Sequence, residues 1–174
     1  ILFILGVKLI KIGSFSSERP LLLVGNHSSY LDILVLGSLK PLRFIAKSEI
    51  SKWPLFGWMA KLQETVFIER KTSRTVNNVK SIISNIENNS ILLMFPEATT
   101  SDGNRVLPFK SSLFNLLELN TDKTIFLQSF SICYNKLNGL PINRRVRPLV
   151  SWFGEMELIG HFWSLLKLRS ISVK

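Results

Sequence analysis

Strands alternating with helices predict an α/β layer fold. The expected architecture is a single domain, residues 1–174, with a central mixed but mostly parallel sheet flanked by helices. Three observations carry this. Leu21–Val24 and Ile91–Phe95 are unbroken apolar runs, the composition of strands buried on both faces. Between them, Val76, Val79, Ile82, Ile83 and Ile86 fall at helical spacing within Thr72–Asn88, with Thr72 placed to cap the start. Polar loops follow the apolar runs, and this is where α/β proteins place their chemistry.

In chain order, Gly6–Ile12 alternates apolar and basic residues and reads as a strand. Leu21–Val24 is a buried strand ending at Gly25, and Ser28–Leu39 reads as a helix. Leu42–Ala46 is the next strand. Lys47–Leu62 contains Pro54 and Gly57, so short helices broken at Trp53-Pro54 are expected. Thr65–Ile68 is strand-like, Thr72–Asn88 helical, and Ile91–Phe95 a central strand. Pro108 is placed to open a helix through Leu119, since proline costs nothing at a first helical position. Ile125–Tyr134 and Val146–Phe153 read as late strands, and Leu158–Arg169 as a terminal helix with a basic end.

The chain has 174 residues and is 46% hydrophobic, enough for one real core and unlike a disordered sequence. Its 22 basic and 12 acidic residues give a net charge of +10, which favours anionic partners. Cys133 is the single cysteine, so no internal disulfide forms and a reducing compartment is the simpler reading. No run of apolar residues is long enough to span a membrane. The first residue is Ile1, so the sequence is expected to begin inside a longer protein, with ILFIL as the tail of an upstream apolar, membrane-associated helix.

The stretch VGNHSSYLD places His27 five residues before Asp32. On one continuous helix those side chains would point about 140° apart. If the helix starts at Ser28 or Ser29, His27 sits on the strand-to-helix elbow and Asp32 can reach back to its ring. Such a carboxylate fixes the tautomer of a base that removes a proton from a hydroxyl. The alternative at this point is a turn histidine followed by a first-turn aspartate that favours the helix dipole. Glu97, at the end of a strand, suits hydrogen bonding to a polyol hydroxyl, or else capping of the Thr99 or Thr100 amides. Arg70 follows a strand and has the fork geometry that holds phosphate, or else forms a solvated basic edge. The Asn143–Arg147 cluster binds phosphates or is a solvated loop. His27, His161 and Cys133 lack metal-ligand spacing, and no metal is expected.

Taken together, these blocks resemble the glycerolipid acyltransferase family of the lysophosphatidic acid acyltransferase (1-acyl-sn-glycerol-3-phosphate acyltransferase) type. Asn26–Asp32 is similar to its N-H-x4-D block. Lys47-Ser48-Glu49-Ile50 with Pro54 and Gly57 resembles A-K-x-E-L…P…G, and Phe67–Arg70 resembles F-I-D-R. Phe95–Thr100 resembles F-P-E-G-T-R/T, and Pro108-Phe109-Lys110 the F-K segment after it. Ala98 stands where glycine is usual, Thr100 where arginine is commoner, Glu64 where glycine is common, and Ser129 where proline is usual. The Arg147–Leu158 segment is similar to bacterial relatives that acylate phosphatidate precursors or lyso-ornithine lipids.

The resemblance implies a glycerol-3-phosphate acyltransferase-like fold with His27 as general base and Asp32 as its orienting partner. Asn26, Lys47, Arg70, Glu97, Ala98, Thr99 and Thr100 would line the substrate site, with Arg70 on the acceptor phosphate. The implied reaction moves a fatty acyl group from acyl-CoA or acyl-carrier protein, as co-substrate, to the free hydroxyl of 1-acylglycerol 3-phosphate. It yields phosphatidic acid in phospholipid biosynthesis and needs no cofactor. Lyso-ornithine lipid is the alternative acceptor. The partners are a lysophospholipid, an acyl thioester and an anionic membrane surface, and the location is the cytoplasmic face of a bacterial inner membrane, monotopic or peripheral. More remote alternatives are an inactive lipid-binding relative and a nucleic-acid-binding module. The charge favours the latter, but no RNP-like or OB-like aromatic pattern accompanies it.

Overall fold

The computed structural model describes residues 2–53, 56–68, 90–111, 114 and 124–174. The strands are β1 (Val7–Leu9), β2 (Leu21–Gly25), β3 (Arg43–Lys47), β4 (Val66–Ile68), β5 (Ile91–Met94), β6 (Phe126–Phe130), β7 (Tyr134–Leu137), β8 (Leu140–Pro141) and β9 (Ile171–Val173). The helices lying wholly within the described residues are α1 (Leu31–Gly37), α2 (Phe56–Leu62) and α3 (Leu158–Leu166), with 3-10 turns at Ser48–Lys52 and Arg147–Leu149. Thr72–Asn88, expected as a helix, lies outside the described residues.

One sheet has five strands in the order β4-β3-β5-β2-β6, all parallel. Its centre is β2 beside β5, with Leu21 opposite Ile91 and Val24 opposite Met94. Both strands are buried along their length because both faces are covered. Alternate residues serve opposite faces. Leu21, Leu23 and Leu93 join α1, Val150, Leu165 and Ile171 on one side, and Leu22, Val24, Leu92 and Met94 join Val66 on the other. Each fully buried leucine contributes about 1.5–3 kcal/mol of transfer free energy.

The expected central, mostly parallel sheet is this five-stranded one, and a second, mixed sheet accompanies it. The second has four strands, β1-β9-β7-β8, with β9 parallel to β1 and antiparallel to β7. Its Asn138-Gly139 turn has positive φ at both positions, as a two-residue hairpin of right-handed twist requires. The expected strand Ile125–Tyr134 divides accordingly. It breaks after Phe130, and β7 pairs in the other sheet.

Two further expectations are corrected. Val146–Phe153 is not a strand. Pro148 has no N–H to give a ladder, the Val150 and Ser151 amides turn back to Arg147 O, and the Trp152 amide goes to Ser28 O at 2.8 Å. Pro108 does not open a helix either. Residues 106–110 are non-helical, the Lys110 N–H is held by Pro96 O at 2.9 Å, and helix begins at Ser111. Gly57 is required where it stands, because a Cβ there would collide with the Ser51 carbonyl as α2 packs on the 3-10 turn.

Candidate active site

Parallel strands put the residues after β2, β3, β4 and β5 at one edge of the sheet. His27 follows β2, Lys47 ends β3, and Glu97 follows β5. Arg70 lies outside the described residues.

The chain leaves β2 extended and enters α1 only at Leu31, so His27 lies on the elbow and Asp32 in the first turn. His27 Nδ1 is 2.8 Å from Asp32 Oδ2. Asp32 is fully buried, and its oxygens are saturated with donors. Oδ2 also accepts from the Ser28 and Ser29 amides at 2.8 and 3.1 Å, and Oδ1 accepts from the Tyr134 hydroxyl at 2.6 Å. An accepting carboxylate makes Nδ1 the protonated nitrogen, which leaves the lone pair on Nε2. Among the described residues Nε2 has no hydrogen-bond partner, and the side chain is 16% exposed. Burial, and then the Asp32 charge, push the Tyr134 hydroxyl well above its ordinary range, so it remains a donor.

The ring is also fixed from its face. Phe95 stacks on His27 at 3.9 Å and 8° between planes, and Phe130 meets Phe95 edge-on at 6.3 Å. Phe130 packs over Gly25, where a Cβ would overlap its ring. The His27 backbone is held at both ends. Its N–H donates to Glu97 Oε1 at 2.8 Å, and its carbonyl accepts from the Ser101 amide at 2.9 Å.

Two residues expected to face substrate act on the scaffold instead. Glu97 is 1% exposed, and its second oxygen accepts from the Leu107 amide at 2.7 Å, so its carboxylate positions backbone rather than binding a polyol. Nor does it cap the Thr99 or Thr100 amides. Asn26 exchanges two 2.9 Å hydrogen bonds with the Ile132 backbone, extending the β2–β6 pairing past the strand ends with a side chain. Thr99 is exposed and Thr100 half-buried on the loop after β5, and Lys47 is half-buried. Ala98 has φ of +55°, a conformation that favours the glycine usual there.

Three contributors were not among the site residues expected from the sequence. Tyr134 lies 102 positions from Asp32. Phe95 reads as a strand-end core residue. Arg147 looked like part of a surface cluster, but it donates from Nη1 to Gly103 O at 3.1 Å, beside Ser28 and Ser151. Among the described residues no group of three His, Cys, Asp or Glu side chains is placed to hold a metal ion. A cleft of about 660 Å³ opens at the opposite end of the sheet, beside Arg19, Arg43 and Ser90, and contains none of the residues around His27.

A histidine with an open Nε2, oriented by a buried carboxylate at the carboxyl edge of a parallel sheet, has the geometry that a general base requires. The family model described as acyltransferase matches residues 7–126, and the chain belongs to that family. It is 40% identical over 174 residues to the lyso-ornithine lipid O-acyltransferase of Brucella abortus, covering 97% of this chain and 65% of that protein. It is 37% identical over 168 residues to the 1-acyl-sn-glycerol-3-phosphate acyltransferase of Neisseria meningitidis, covering 95% and 62%. The chain thus spans a little under two thirds of these relatives. The crystal structure of the 1-acyl-sn-glycerophosphate (LPA) acyltransferase PlsC from Thermotoga maritima matches with a TM-score of 0.50 and 22% identity, over 94% of this chain and 69% of that one. That likeness concerns the fold.

Proposed function

We propose that the protein transfers a fatty acyl group from an acyl thioester, acyl-CoA or acyl-carrier protein, to the free hydroxyl of a lysolipid. The observation that carries this is the 2.8 Å His27–Asp32 contact with Nε2 left open. Nε2 takes the hydroxyl proton as the oxygen attacks the thioester carbonyl carbon. The imidazolium that forms is stabilised by Asp32. Collapse of the tetrahedral intermediate breaks the C–S bond, and the leaving thiolate recovers the proton from His27. The products are an ester and a free thiol, and no cofactor takes part.

The acceptor is proposed as lyso-ornithine lipid or 1-acylglycerol 3-phosphate. The Brucella abortus relative supports the first, and the Neisseria meningitidis relative supports the second. Arg70 would take the anionic group, with Lys47, Thr99 and Thr100 along the same edge. No helix among the described residues is long and apolar enough to cross a membrane. A peripheral or monotopic place on the cytoplasmic face of a bacterial inner membrane fits a basic chain acting on lipids.

The test is transfer from a labelled thioester to both acceptors by wild type, His27→Ala and Asp32→Asn. Wild type should acylate at least one acceptor, and its kcat/KM ranks the two. His27→Ala should lose on the order of 10²–10⁴ in rate, with Asp32→Asn also impaired through the wrong tautomer. Wild-type turnover by His27→Ala would remove His27 from the reaction.

A further inference from the structure

Beside the base, the chain presents the segment Arg105-Val106-Leu107-Pro108-Phe109-Lys110 to solvent. Val106 is 56% and Phe109 51% exposed, with a cation at each end of the segment and no acid within it. Two large apolar side chains cost solvation where they stand. Their arrangement, apolar at the tip and basic at the flanks, is that of an interfacial anchor.

The segment is fastened to the base. Leu107 N–H and His27 N–H are bound to the two oxygens of Glu97, at 2.7 and 2.8 Å. Lys110 N–H is bound to Pro96 O, one residue before Glu97. Loop and base are therefore one carboxylate apart. Other exposed apolar groups, such as Ile159 and Trp163 on α3 or Trp58 and Leu62 on α2, have no such tie to His27 among the described contacts.

We propose that the Arg105–Lys110 loop is the contact between the mouth of the active site and an anionic phospholipid bilayer. Val106 and Phe109 enter the boundary between headgroups and acyl chains, and Arg105 and Lys110 pair with lipid phosphates. The inference rests on the lysolipid acyltransferase reading, because a lipid acceptor must pass from the bilayer to His27. Charge complementarity selects the occupant, since the loop carries two cations on a chain of net charge +10.

The test measures partitioning onto vesicles of phosphatidylglycerol with phosphatidylcholine, and onto phosphatidylcholine alone, by co-sedimentation. Val106→Ser with Phe109→Ser should weaken partitioning at least about tenfold. It should leave turnover of a monodisperse short-chain acceptor unchanged, with a small fall in the thermal melt because the Phe109 ring also stacks on Phe114 at 6.3 Å. Arg105→Gln with Lys110→Gln should abolish the preference for anionic vesicles, and Ile159→Ser with Trp163→Ser should leave partitioning intact. Absence of wild-type partitioning, or wild-type partitioning by the Val106/Phe109 variant, overturns the proposal. So does partitioning lost only with the α3 pair, or a defect confined to carrier-protein donors, which marks a protein-docking surface instead. If wild type transfers no acyl group to any acceptor, the catalytic reading fails, while the vesicle measurement still decides where the membrane contact lies.

Discussion

Ala98 holds a backbone conformation in which its methyl group is a liability. At φ of +55°, its Cβ crowds the local carbonyls, a strain of order 1–2 kcal/mol that glycine escapes. Ala98→Gly should therefore stabilise the protein by about 1 kcal/mol and raise the melting temperature by about 2–4 °C in thermal denaturation. The sequence already singled out this position, because glycine is usual in the block it resembles. Tyr134 is the opposite case. Its hydroxyl satisfies a buried oxygen of Asp32, so Tyr134→Phe orphans that oxygen at a cost of about 1–3 kcal/mol. Its thermal melt should fall by several degrees. Activity should fall less than in His27→Ala, since Oδ2 keeps its three donors. Glu97 and Asn26 show why residue roles are harder to read than residue positions. Their motif placed them at the site, but whether a polar side chain faces ligand or backbone depends on amides brought from Leu107 and Ile132, which no local pattern reveals.

At the scale of elements, β2 and β5 were legible because strands covered on both faces leave an unbroken apolar signature. The His27 elbow was legible because five-residue spacing forbids contact along a continuous helix. Val146–Phe153 was misread since its apolar residues serve a turn whose amides go to Arg147 and Ser28, and β9 is too short to announce itself by period. α3 was expected from its apolar face, and its attachment turns on His161. In the neutral ring Nε2 donates to Pro148 O at 3.1 Å and Nδ1 accepts from the Tyr30 hydroxyl at 2.9 Å. Burial lowers the His161 pKa below its ordinary 6.5, against smaller opposing effects of the Pro148 and Ser151 backbone. Below pH 6.5 the unfolded chain takes up a proton that the folded chain refuses. This contribution is thus present above pH 6.5 and lost as pH falls through the lowered value. Denaturant unfolding between pH 7.5 and 5.5 should show a shallower acid-side loss for His161→Gln than for wild type.

For the molecule as a whole, 22 basic against 12 acidic residues would make the proposed bilayer contact electrostatic as well as apolar. Wild-type partitioning onto anionic vesicles should weaken severalfold between about 0.05 and 0.5 M salt, read by co-sedimentation, as the screening length shortens. Partitioning onto neutral vesicles should change little. The overall topology also fixes an order of events during synthesis. β9 lies between β1 and β7, although Ile171–Val173 leave the ribosome after every other described strand. Until they emerge, β1 has no ladder partner and β7 is paired only along β8. Between the emergence of β7 and that of β9 the nascent chain therefore carries an open strand-shaped slot, the kind of vacancy that chaperones cover and that neighbouring chains can invade.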